Sequence, residues 1–154
     1  GDPKWKQRLR QAFDFLASQI DQLYLDEICS LVRDPWRLRA RYIHVRLGEM
    51  TLPALLGEET DKTLTSQQLR RIDLLLQAQF ERQRMFTSCG WFFEDFDRIE
   101  PKNNVAYAAH AAALTQQATG VDLAAEMLMA LRQISSARTG LSAAQVFQAA
   151  FARS

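Results

Sequence analysis

The chain has 154 residues, long enough for one domain with a sizeable core. Apolar residues make up 47%, and 19 basic residues stand against 18 acidic ones, a net charge of +1. That balance excludes a global electrostatic drive toward nucleic acid or an anionic membrane surface, and the sequence shows neither a signal-peptide pattern nor an apolar run long enough to span a bilayer.

The first helix is predicted from about Lys4 to Val32. Leu9, Phe13, Leu16, Ile20, Leu23, Ile28 and Leu31 recur there at three- and four-residue steps, which is one helix face. "RDPWRLRARYIHVRLG" follows. Asp34 can cap a second helix, and Pro35 suits its first position, where no N–H is needed. Trp36, Ala40, Ile43 and Leu47 line one side of it, and Gly48 is placed to end it. Residues 49–64 are the least regular part: "GEETDKT" reads as a solvated loop, and Pro53 is expected to break any long helix. Thr65 with Gln68 makes a capping box for a long helix reaching about Phe86, with Leu69, Ile72, Leu75, Leu76 and Phe80 inward. Pro101 starts "PKNNVAYAAHAAALTQQATG", stopped at Gly120, whose alanine-rich faces permit close approach of neighbours. "VDLAAEMLMALRQIS" and "LSAAQVFQAAFAR" are two further helices, the last capped by Ser142. No segment alternates with period two. The expectation is a single all-α domain over 1–154, an up-and-down bundle of about six helices with short connections and one irregular loop around residues 49–64.

Cys29 and Cys89 have neither disulfide-framework nor zinc spacing, and both read as buried free thiols, which suits a reducing cytoplasm. His44 and His110 have no partner at helical ligand spacing, so no metal or cofactor is expected. Cys89 with either histidine could form a nucleophile and base only through the fold; nothing local supports it. The phosphate-binding and nucleophile-elbow motifs are absent from the sequence. Arg33, Arg37, Arg39, Arg41 and Arg46 spread around much of a helix circumference. They read as solvated charges and ion pairs. A dock onto another, acidic surface fits them better than catalysis or DNA, because no groove-like interleaving of aromatics accompanies them.

"MFTSCGWFFEDFDRIE", residues 85–100, is unlike its surroundings. Gly90 permits a kink, Trp91 offers a flat apolar face with one N–H donor, and Glu94, Asp95 and Asp97 offer acceptors. A flat aromatic beside carboxylates suits a sugar ring. The competing reading is a packing corner in which Trp91, Phe92 and Phe96 anchor two helices, and chemistry alone favours it. Neighbouring carboxylates on one short segment do not straddle a sugar as a glycosidase pair must.

These residues carry a resemblance. "MFTSCGWFF" followed by acidic residues and "IE" resembles the signature of a bacterial domain of unknown function that follows a glycoside hydrolase family 57-type catalytic barrel. "WKQRLRQAFDFLASQIDQLY" is similar to that family's W-x-x-x-L-R-x-A-x-x-x-L helix, and "DPWRLRARYIHVRL" to its D-P-W-x-x-R-x-x-Y-I helix. The resemblance covers at least residues 5–110; the tail after Gly120 carries no such motif. More distantly, Ser88, Trp91 and Phe93, with Tyr107 and Ala108 downstream, are laid out like the Ser-Asp-Trp-x-Phe segment of family 57 branching enzymes. The resemblance implies a C-terminal helical domain that packs on an N-terminal barrel of the same chain, with Trp91 at or near an α-glucan or oligosaccharide. Glu94 and Asp95 would then accept from sugar hydroxyls. Arg98 stands where the family usually has Gly, which alters the expected turn. The family's catalytic carboxylates belong to the barrel, and none carries over to this sequence. The chain, which opens GDPKW without Met, is accordingly expected to be a piece of a longer cytoplasmic protein and not catalytic alone. The alternative is a helical protein–protein interaction module without a carbohydrate role. No nucleic-acid or membrane partner is expected.

Overall fold

A computed structural model of the chain describes residues 4–87, 99–136 and 138–154. Among them are seven helices: α1 (Lys4–Ile28), α2 (Pro35–Arg46), α3 (Leu52–Glu59), α4 (Ser66–Arg84), α5 (Ile99–Thr119), α6 (Ala124–Leu131) and α7 (Ala143–Ala152). The fold is all-α; the only β feature among the described residues is an isolated bridge between Ser135 and Ser142.

Local chemistry sets most of the helix ends. Asp34 accepts from the backbone N–H groups of Trp36 and Arg37, both at 3.1 Å, where a new helix has donors without partners. Thr65 and Gln68 exchange bonds of 3.1 and 2.9 Å at the start of α4. Ser142 and Gln145 do the same for α7 at 3.1 and 2.8 Å. Gly48 follows α2 at φ +76°, a conformation that side-chain-bearing residues rarely adopt.

Four expectations change. α1 stops at Ile28, short of Val32: residues 29–33 form turns, and Asp34, immediately before a proline, is extended (φ −138°, ψ 97°). The stretch 49–64 is not simply irregular: Thr51 caps α3 through the Ala54 N–H at 3.2 Å, and Pro53 falls in the first turn, where a missing N–H costs nothing. Pro53 therefore helps to begin a helix. The penultimate stretch is helical only over Ala124–Leu131. Cys29 is exposed, not buried, because α1 ends before it and it lies on the turn toward α2. Cys89 lies outside the described residues.

Two apolar clusters form the core, and α1 runs through both. Phe13, Leu16 and Ile20 pack with Ala108 and Ala112 of α5, Met127 of α6 and Phe147 of α7. Tyr24 and Ile28 pack with Leu38 of α2, Leu55 of α3 and Ile72, Leu75 and Leu76 of α4. α5 is the central helix. Val105, Ala108, Ala109, Ala111 and Ala112 are all fully buried, so it is covered on nearly every side by its neighbours. Small side chains allow that close approach.

Candidate functional site

α2 carries two apolar stripes on opposite sides. At 100° per residue, Leu38, Tyr42 and Val45 share one side, and Trp36, Ala40, Ile43 and Leu47 fall within roughly 60° of one another on the other. Leu38 and Tyr42 are buried, at 0% and 6% exposure, and Val45 packs against them at the edge of the core. The second stripe faces outward, with Trp36 38%, Ile43 45% and Leu47 64% exposed.

The arginines between the stripes decide which side turns in. Arg37 donates to Glu59 through Nε at 3.0 Å and Nη2 at 2.9 Å. Arg41 reaches the same carboxylate at 2.8 Å and Glu58 at 2.6 Å. Arg33 pairs with Asp61 at 3.2 Å and bonds the Glu58 carbonyl. Glu59 is only 1% exposed, and the hydrogen bond from Arg37, helped by Arg41, holds its carboxyl below the usual carboxylate range. Arg37 and Arg41 thus clamp α2 to α3, and Arg33 ties the turn before α2 to the end of α3.

On the other flank, Arg39 donates to Gln79 at 3.1 Å, and Gln79 donates to Asp21 at 3.0 Å. Asp21 also receives Arg82 in a two-pronged pair at 2.9 and 3.0 Å. This chain of bonds ties α2 to α4 and α1. The buried Tyr24 hydroxyl donates to the Pro35 carbonyl, and burial pushes its pKa well up.

Between α2 and α4 lies a groove of about 340 Å³. Ala40, Tyr42, Ile43, Leu76 and Phe80 make its apolar walls, and Arg39, Arg84 and Thr87 stand at its rim. Aromatic faces hold the arginines in place. The Arg46 guanidinium lies 4.1 Å from the Phe80 ring centre, Arg39 4.8 Å from Trp36 and Arg84 3.9 Å from Tyr107.

Thr87 is the last described residue before 88–98. Its hydroxyl and carbonyl both bond the side chain of Asn104 in α5. The groove and the entry to the unusual stretch of sequence therefore share a corner. Trp91, Glu94 and Asp95, the residues expected to meet a sugar, lie outside the described residues, as do Gly90, Phe92, Phe96 and Asp97. His44 sits 2.6 Å from Glu49 on the surface. Among the described residues no cluster of three or more His, Cys, Asp or Glu could hold a metal ion, and no helix is long and apolar enough to cross a membrane.

The groove was not singled out from sequence, although part of its signal was there. Leu38, Tyr42 and Val45 repeat at helical spacing opposite the Trp36 stripe, so α2 has one more apolar side than a surface helix needs.

A family model described as Domain of unknown function (DUF3536) matches residues 2–153. The chain belongs to this family. The DUF3536 match continues through α6 and α7, beyond the motifs of residues 5–110. No curated protein and no solved structure matches the chain.

Proposed function

We propose that this DUF3536 domain is a non-catalytic helical part of a larger carbohydrate-active protein. It packs on a glycoside hydrolase family 57-type barrel of the same chain and presents the segment 89–95 at the glucan cleft. The observation that carries the packing reading is the outward stripe of Trp36, Ala40, Ile43 and Leu47. Four apolar residues at helical spacing, three of them large, suit an interface better than open water. The sequence resemblance over residues 5–110 supports the identity of the partner. It also supports roles for Trp91 as a stacking platform and for Glu94 and Asp95 as acceptors from hydroxyls.

Two experiments on the longer protein test this. Trp91→Ala should weaken retention on a glucan-containing native gel while the circular dichroism stays unchanged; normal retention, or unfolding, sinks the cleft role. Ile43→Asp should lower the Tm of the longer protein while leaving that of the 154-residue chain alone. The same stripe would equally serve a helical interaction module without a sugar role. In that case Ile43→Asp leaves the Tm of the longer protein unchanged and abolishes binding of a separate protein.

A further inference from the structure

The geometry points to an occupant for the α2–α4 groove: an amphipathic helix whose apolar stripe is flanked by carboxylates. The proposal rests on the α2 stripe being an interface and adds the chemistry of what covers it. The stripe from Trp36 to Leu47 spans ~16 Å along the helix, about three turns. A second helix laid between α2 and α4 would meet Ala40 and Ile43 of the stripe and Phe80 of α4 in the groove, the usual helix-in-groove mode.

Charge selects the flanks. Arg39 and Arg46 have no carboxylate hydrogen-bond partner among the described residues: Arg39 bonds the neutral Gln79, and Arg46 lies on Phe80 and bonds the Tyr42 hydroxyl. Arg84 is shared with Glu81 at 3.1 Å and remains 40% exposed. Of the carboxylates on the facing helix, Glu81 is therefore already engaged, and Asp73 bears on Tyr42. Stacked guanidinium groups keep their planes fixed and present edge N–H donors that fit carboxylate oxygens. A second copy of this chain is a poor occupant. A two-fold pairing through this face would set Arg39 and Arg46 against their own counterparts, and like charges across an interface are costly.

The test uses two synthetic helical peptides with the same Leu/Phe stripe, one flanked by Glu and one by Lys, titrated into the isotope-labelled chain. The Glu peptide should shift the backbone amides of residues 35–47 and those around Phe80, with affinity that falls as salt rises. The Lys peptide should bind about tenfold more weakly or less. Arg46→Glu should weaken binding of the Glu peptide and strengthen that of the Lys peptide with the circular dichroism unchanged. Ile43→Asp, at an exposed position, should remove binding of both peptides. Equal binding of the two peptides, shifts confined to other surfaces, or no binding at all would overturn the inference. So would concentration-dependent shifts of this face without peptide, which would assign it to a second copy. None of these results decides the packing reading, which stands or falls on the Tm of the longer protein carrying Ile43→Asp.

Discussion

Asn104 holds Thr87 at both ends of its polar repertoire. The Thr87 hydroxyl donates to Asn104 Oδ1 at 2.8 Å, and Asn104 Nδ2 donates to the Thr87 carbonyl at 3.2 Å. Asn104 is 2% exposed, so its amide has little access to water as a substitute partner. The pair joins the end of α4 to the second turn of α5, on either side of residues 88–98. Asn104→Leu should cost only about 1 kcal/mol in urea unfolding, because the two Thr87 groups it releases belong to an exposed residue and can turn to water. Thr87→Val leaves the buried Asn104 Oδ1 without its donor, so it should cost as much or more, about 1–3 kcal/mol.

Glu59 makes the fold sensitive to acid. Its folded-state pKa lies below the ordinary carboxylate value because Arg37, and then Arg41, hydrogen-bond the charged form. The stability it contributes is complete above the unfolded pKa, about 4.3, and is lost as pH falls through the lower folded value. Thermal unfolding followed from pH 7 downward should show a falling Tm below about pH 4. Glu59→Gln should lower the Tm at neutral pH and flatten part of that acid limb. An unchanged limb would mean that other carboxylates dominate it.

The two sides of α2 should respond oppositely to truncation. Leu38→Ala opens a cavity in a fully buried position and should cost about 2–5 kcal/mol. Ile43→Ala, on the outward stripe, should change the stability of the chain by no more than about 0.5 kcal/mol. Chemical denaturation of both variants checks this, and equal losses would show that the outward stripe is covered in solution.

The alanines of α5 leave no spare volume. Ala112 is fully buried where α5 faces the core of α1, α6 and α7. Ala112→Leu should cost about 1–3 kcal/mol through overpacking. A neutral result in urea unfolding would mean that a neighbouring helix can move away.

Cys29 should react in the folded state. Its sulfur lies 3.7 Å from the Asp26 carbonyl on an exposed turn. A maleimide added under native conditions should label Cys29, identified by peptide mass, at a rate little changed by adding urea. Protection until unfolding would return it to the core.

Much of this fold is legible residue by residue. Asp34, Thr65 with Gln68, and Ser142 with Gln145 begin their helices by hydrogen bonds to neighbours two or three positions away. Such bonds need no tertiary partner, which is why the all-α class and most helix starts follow from sequence. Pro53, expected to break a helix, instead opens one, since a proline fits a first turn as readily as it stops a helix, and the burial of Leu55 and Leu56 in the second cluster makes α3 worth forming. The candidate site was half legible. Trp36, Ala40, Ile43 and Leu47 stand out as a stripe, but periodicity finds apolar sides without saying which one meets the core. The Arg37 and Arg41 clamp on Glu59 and the Arg39 bond to Gln79 fix that choice, and their partners lie 18 to 40 positions away in the chain. Short-range capping and helical period were therefore written locally, whereas the outward face of α2 depended on long-range ion pairs and packing that exist only once the helices meet.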